Sequence, residues 1–314
     1  MEGLKVLVVG AGALGCEILS KLALSGFKDI EVVDFDTIET SNLCRQFLFT
    51  SNDVGLAKAE VAAQRISSLG LRIKCQAHLS RIELLPLKFL HQFNIVFCAL
   101  DNVESRLWLN EALCTLPAGS ILLVEAGTEG FMGHVRGVLP GETACLYCTK
   151  YLYPPHLTRP LCSVAGSPND VDDCVAWAIM IEWPRHHASH QFNPEEETHL
   201  DAALSLAQAR ASTYSLGLVT RESILAFLDA AIPAIISTTS VIAGISVLIA
   251  QQACAVSVNL ADGDQANYWF FNGKAGAFLS SQRLAFDPSC PICRPGRGGS
   301  EGGKPLKAFP DQRD

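Results

Sequence analysis

Apolar residues occur first as an almost unbroken run at residues 4–9, Leu-Lys-Val-Leu-Val-Val, and then at helical spacing over residues 14–24. The run predicts a strand buried on both faces, and the spacing predicts a helix with one buried stripe. Between them stands Gly10-Ala11-Gly12-Ala13-Leu14-Gly15, and a second apolar run at residues 30–33 ends on Asp34. The alternation continues with a helix over 56–68, strands over 72–76 and 94–99, a helix over 103–116 and a strand over 120–125. Strands separated by helices predict an α/β, Rossmann-like, doubly wound sheet.

Past Glu125 the pattern changes. Gly127, Gly130 and Gly133 punctuate a stretch ending near Pro140, which reads as antiparallel strands appended to the parallel sheet. Residues 1–150 are therefore expected to form the first part of a nucleotide-binding domain. Residues 151–220 are polar, contain Pro and His, and predict two helices over 171–182 and 194–214, so they read as a helical insertion. Residues 221–293 return to the main sheet with an apolar helix over 232–253 and strands over 268–271 and 277–279. Residues 294–314, rich in Gly, Arg and Lys, read as a disordered tail.

Composition narrows the partners. A net charge of −8, with 24 basic against 32 acidic residues, argues against an extended contact with nucleic acid. Twelve cysteines scattered through helical and strand-like segments of a 314-residue chain suit a reducing compartment, cytoplasm or nucleus, better than a disulfide framework. Residues 230–261 contain no Asp, Glu, Lys or Arg, and a bilayer needs about 20 apolar residues. Pro233, the run Ser237-Thr238-Thr239-Ser240, Gln251-Gln252 and the lack of basic flanks favour a core or subunit-interface helix, so no membrane partner is expected.

A turn of this kind uses glycine for positive φ and for close approach of backbone N–H groups to a phosphate at a helix N-terminus. Gly10, Gly12 and Gly15 with Asp34, a carboxylate placed for ribose hydroxyls, would by themselves fit NAD. Further polar residues change the ligand. Asn42, Arg45 and Gln46 follow the second strand, Lys58 opens the next helix, and Asp101 ends the fourth strand segment. Two cations and a carboxylate suit a triphosphate, with Arg45 and Lys58 on its oxygens and Asp101 on Mg²⁺, so Mg·ATP is the expected ligand. Cys145-Leu146-Tyr147-Cys148 and Cys290-Pro291-Ile292-Cys293 are two C-x-x-C knuckles, together a ligand set for one closed, structural Zn²⁺. Cys162, by its type alone, reads as a small buried hydrophobe.

Three segments in order, from Asp34 to Phe49, from Gly55 to Glu60 and from Ala99 to Asn102, resemble the adenylation domain of the ubiquitin-like modifier activating enzymes. The resemblance implies that Asp34 holds the ribose, that Asn42, Arg45, Gln46 and Lys58 contact phosphates, and that Asp101 binds the metal at the reacting centre. It makes Cys162, which follows Pro160-Leu161 just after the first knuckle, the catalytic thiol, and it agrees with a zinc on the four knuckle cysteines. Residues 127–131, 140–145 and 152–155 look most like the neddylation branch and less like the sumoylation branch. Two departures stand out: Cys44 occupies a position usually Asn, and Pro168 is followed by Asn169 where the family often has Arg.

The expected reaction is C-terminal adenylation of a ubiquitin-like protein of Nedd/Rub type, thioester formation on Cys162, and transfer to a conjugating enzyme. In this family a regulatory subunit supplies an Arg to the ATP phosphates in trans, so a heterodimer is expected. Alternatives are a stand-alone adenylyltransferase for a sulfur-carrier protein, a non-catalytic scaffold subunit, and a nicotinamide dehydrogenase.

Overall fold

The computed structural model describes residues 3–153, 166–168, 170–187, 192–193, 196–230, 235–254, 265–274 and 276–293. Strand β1 (Lys5–Val9) leads through the glycine turn into helix α1 (Ala13–Leu24) and strand β2 (Asp29–Val33). Helix α2 (Lys58–Ser67), β3 (Lys74–His78), β4 (Ile95–Cys98) and α3 (Val103–Cys114) follow. Strand β5 (Leu122–Glu129) turns directly into β6 (Met132–Val138). That turn has only Gly130 and Phe131 between the paired Glu129 and Met132, and Gly130 supplies the positive φ, +53°, that so tight a reversal requires.

The chain divides into two compact units, one of residues 1–153 with 234–314 and one of residues 154–233. The second unit contains helices α4 (Val171–Trp177), α5 (Glu197–Thr213) and α6 (Arg221–Ala230). Its core joins Cys174 and Val175 of α4, Ile224 of α6, and Leu200, Ala203, Ala207 and Ala211 of α5. The alanines recur every fourth residue, so one slim stripe of α5 admits its neighbours closely. Helix α6, expected to begin the return to the main sheet at 221, belongs to this second unit instead. Ile224, fully buried, ties it there. The helix expected over 171–182 ends as a regular helix at Trp177 and widens into a π-turn over Ala178–Glu182.

The chain returns with helix α7 (Ile236–Cys254), β7 (Tyr268–Asn272) and β8 (Phe278–Gln282). The sheet has the order β3-β2-β1-β4-β5-β6-β7-β8, parallel through β5 and antiparallel from β6 onward. This is the doubly wound sheet with appended antiparallel strands that the apolar pattern predicts. Alternate residues of β1 serve opposite faces: Val6 and Val8 join α1, α2 and α7, while Leu7 and Val9 join α3. One face of the uncharged α7 is accounted for by this packing, with Ile242, Ala243, Val247, Ile249 and Ala250 in the core against α1, β5 and β6, while Ile236, Val241 and Leu248 are exposed. Two of its buried hydroxyls donate to the carbonyl four residues earlier, Ser246 to Ile242 at 2.8 Å and Thr239 to Ile235 at 3.0 Å. The tail expected to be disordered, 294–314, lies outside the described residues.

Candidate functional site

Because β2 lies on one side of β1 and β4 on the other, the strand order reverses at β1, and a crevice opens at the carboxyl ends of the strands there. A cavity of about 390 Å³ occupies it, lined by Gly10, Gly12, Asp34, Asn42, Arg45, Gln46, Lys58 and Asp101. Every residue expected at a nucleotide reaches this one cavity except Gly15.

The three glycines have different physical reasons. Gly10 has φ +101°, and a Cβ there would stand 2.6 Å from the Ala99 carbonyl oxygen. A Cβ on Gly15 would stand 1.9 Å from the Gly10 carbonyl oxygen, so Gly15 lets α1 lie against its own turn. At Gly12 a Cβ would meet no protein atom within 4 Å. The fold does not exclude a side chain at Gly12, and leaving it out keeps the floor of the cavity open for a ligand. Helix α1 starts there with no side-chain cap and no acid in its first turn, so its positive end faces the cavity unneutralised.

Asp34 closes the crevice on the β2 side. Its two oxygens accept from the Ala11 N–H at 2.6 Å and the Asp36 N–H at 2.8 Å, which locks the carboxylate to the turn. Burial pushes its pKa up, against the pull of those two N–H groups and of Lys58. Lys58 is buried at the start of α2 and pairs with Asp36 at 2.8 Å, while its backbone N–H donates to the Asp36 carbonyl. One turn of residues 34–36 thus carries both the acid and the anchor of the cation.

The segment between β2 and α2 forms a 3-10 turn at Thr40–Asn42, where the Asn42 side chain accepts from the Glu39 N–H at 3.0 Å. Arg45 is fixed at one guanidinium nitrogen, which donates to the Ser41 carbonyl at 2.9 Å, and its remaining donors are unspent by that bond. Gln46 is buried, and its Oε1 has no hydrogen-bond partner in the protein. A buried polar atom without a partner is costly, and the cavity is where a partner can come from. Cys44 is exposed and donates to the Ser41 carbonyl at 3.5 Å, so thiol replaces carboxamide without disturbing the turn. Across the crevice, Asp101 is exposed immediately before α3, whose N-cap is Asn102, accepting from the Ser105 N–H at 2.7 Å. Asp101, unlike Asp34, has no backbone donor among the described contacts; its Oδ1 accepts from Asn102 Nδ2 at 3.4 Å, which leaves carboxylate lone pairs for a metal.

Sequence reasoning missed several residues that line the cavity. Arg81 lies over the Phe35 ring at 4.6 Å, and Glu83 accepts from Ser105 Oγ at 2.5 Å. Arg106 and Thr128 also reach the cavity. Arg106 stands on α3 one turn after the cap, a spacing that could have marked it; Arg81 and Phe35 are brought together only by the fold.

The second expected centre is also assembled. Cys145, Cys148, Cys290 and Cys293 gather with all four sulfurs within 4.8 Å of one another, joining positions up to 148 apart in the chain. Neighbouring Sγ–Sγ distances are 3.8 Å for Cys145–Cys290, 3.8 Å for Cys145–Cys148 and 3.4 Å for Cys148–Cys293. Tetrahedral thiolates around zinc, at about 2.3 Å from the metal, stand about 3.8 Å apart. The four cysteines fit Zn²⁺, and their burial fits a closed, structural site rather than a catalytic one. Cys162, the expected catalytic thiol, lies outside the described residues.

A sheet of this order with a nucleotide-sized crevice at its reversal point, and four thiols brought together elsewhere in the same unit, defines a nucleotide-binding type of α/β protein, and the chain belongs to the ThiF family, whose family model matches residues 1–292. It is 38% identical over 306 residues to the NEDD8-activating enzyme E1 catalytic subunit of Arabidopsis thaliana, covering 93% of this chain and 66% of that protein. It is 32% identical over 298 residues to the NEDD8-activating enzyme E1 catalytic subunit of Saccharomyces cerevisiae, covering 92% of this chain and 97% of that one. The chain thus spans just under two thirds of the plant relative's length. The fold is shared with the solved structure of E. coli MccB with ATP, at a TM-score of 0.57 and 17% identity over 93% of this chain and 67% of that one.

Proposed function

We propose that this chain is the catalytic subunit of an enzyme that activates a ubiquitin-like protein of Nedd/Rub type with Mg·ATP. The observation that carries the reading is the convergence of Arg45, Lys58, Asp34 and Asp101 on one crevice at the uncapped N-terminus of α1. A dinucleotide would need the glycines and Asp34. Two cations on one wall and an exposed carboxylate on the other suit a polyphosphate with its metal.

In the first step the C-terminal carboxylate of the modifier attacks the α-phosphorus of ATP; the bond to the β-phosphate oxygen breaks, pyrophosphate leaves, and an acyl-adenylate remains. Asp34 orients the ribose, Arg45 and Lys58 neutralise charge gathering on the phosphate oxygens, Asn42 and Gln46 add polar contacts, and Asp101 would hold Mg²⁺, which would add further charge neutralisation at the phosphates. Lys58 is released from Asp36 as the phosphates arrive. In the second step the Cys162 thiolate attacks the acyl carbon, forms a thioester and expels AMP. The acyl group then passes to a cysteine of a conjugating enzyme. The same reading includes a regulatory subunit, which supplies a further Arg to the phosphates, and a Zn²⁺ that ties residues 290–293 to residues 145–148.

The test is pyrophosphate exchange into ATP in the presence of each candidate ubiquitin-like protein, with wild type and Cys162→Ala. Exchange that survives in the variant while the thioester is lost is the expected result. Absence of exchange with every candidate, also beside a partner subunit, overturns the reading.

A further inference from the structure

Arg106 is a lining residue of the nucleotide crevice whose guanidinium is committed on two sides. One nitrogen pairs with the fully buried carboxylate of Glu125 on β5, and the other donates to the Leu100 carbonyl at 2.5 Å. Leu100 immediately precedes Asp101. The bridge therefore runs from the middle of the sheet to the peptide that carries the expected metal ligand.

Glu125 is held from its other sides as well. His134 lies 3.2 Å from both of its oxygens, and Arg136 Nε is 4.0 Å from one of them. Burial alone would raise the Glu125 pKa, yet His134, Arg106 and Arg136 hold it well below the usual carboxylate range. Arg136 in turn donates to Thr149 Oγ1 at 2.6 Å, next to the first knuckle. The knuckle is tied to α3 a second time, since Leu146 N–H donates to Asn110 Oδ1 at 3.0 Å. Even the glycine opposite is explained, because a Cβ on Gly127 would stand 2.8 Å from the His134 ring and 3.1 Å from the Arg106 guanidinium nitrogens.

Breaking one partner of such a buried pair is costly, and nothing in the proposed chemistry requires a charged pair beneath the crevice. What the pair does geometrically is hold the Leu100 carbonyl in the turn between β4 and α3, where Leu100 is half-buried against the core and Asp101 is exposed. We infer that Arg106 is a positioning residue for Asp101, with Glu125 as its buried anchor, and that together they set the affinity of the crevice for metal-bound nucleotide rather than for the nucleoside. The inference rests on the nucleotide reading above. Lysine at 106 would keep the charge and its pairing with Glu125 but has a single ammonium in place of the planar fork, so it cannot span both partners in the same geometry.

The test is binding of Mg·ATP and of AMP to the intact, zinc-loaded chain by titration calorimetry, for wild type, Arg106→Lys and Asp101→Asn. Arg106→Lys is expected to bind Mg·ATP about ten-fold more weakly and AMP unchanged, the same split as Asp101→Asn but smaller, since one charge-assisted hydrogen bond is lost. Equal weakening of both ligands would assign Arg106 to general scaffolding and overturn the inference, as would unchanged binding of both. The double variant Arg106→Gln/Glu125→Gln, which removes both charges of the pair together, is expected to show the same split and serves where Arg106→Lys does not fold. Wild type that binds neither ligand overturns the nucleotide reading itself, a failure distinct from wild type that binds both while the variants show no split.

Discussion

Lys58 Nζ stands 2.8 Å from Asp36 Oδ2, so the cation expected to meet a phosphate is paired with a carboxylate two residues beyond Asp34, the acid expected to hold the ribose. Asp36 is half exposed while Lys58 is buried, so exchanging Asp36 for a phosphate gives up one partly screened contact and keeps the buried ammonium paired. Lys58→Ala is expected to lower thermal stability modestly and to weaken Mg·ATP binding by about ten-fold or more. Calorimetry and nucleotide titration on the same preparation check both halves; a large loss of stability with unchanged binding would make Lys58 structural.

Gly12 and Gly15 separate the ligand's demand from the fold's. Gly12→Ala adds a methyl group that meets no protein atom, so the melting temperature is expected to hold while Mg·ATP affinity falls. Gly15→Ala drives its Cβ into the Gly10 carbonyl and is expected to cost about 1–3 kcal/mol or more of stability. Thermal melts of the two variants, with and without Mg·ATP, distinguish them: ligand-induced stabilisation is expected to be lost selectively in Gly12→Ala.

Cys148→Ser is expected to lower bound zinc well below about one per chain and to lower the melting temperature, because a structural zinc site contributes directly to folding. Chelation of the wild type should reproduce the loss. Metal analysis that finds no zinc in the purified wild type would remove zinc from the account of the knuckles.

The raised pKa of Asp34 gives a pH dependence with opposite signs for stability and binding. In the unliganded protein Asp34 binds its proton at higher pH than a free aspartate, at 3.8, so its contribution to stability is greatest at low pH and is lost as pH rises through the folded-state value. Nucleotide binding needs the ionised acid as acceptor for ribose hydroxyls, so AMP affinity should decline on acidification at a pH where a free aspartate is still ionised. Asp34→Asn is expected to bind AMP more weakly at neutral pH and with a flatter profile. An identical acid profile in the variant would assign the dependence to another group.

How far the chain alone carries can be judged residue by residue. The β1–turn–α1 unit, the parallel order of the first strands and the knuckle pairs are local patterns: unbroken apolar runs, 3.6-residue spacing, glycines before a helix, thiols three apart. Their physics acts over a few residues, so they are legible one segment at a time. Helix boundaries drifted where a special backbone intervened, as at the π-turn over Ala178–Glu182 that ends α4 at Trp177. The placement of α6 in the second unit was not legible, because its amphipathic pattern says that a face is buried and not against what.

Sequence by itself determined the α/β class, the phosphate-type turn, the Asp34, Arg45, Lys58 and Asp101 candidates, and the two cysteine pairs, since each is written in residue type at short spacing. Only the tertiary structure decided that the candidates line one crevice, that two pairs 141 residues apart close into one tetrahedron-sized cluster, and that Arg106 and Glu125 lie beneath Asp101. Those are long-range pairings set by strand order and core packing, and a charge in a helix reads the same whether it meets water or a buried carboxylate until the sheet places its partner.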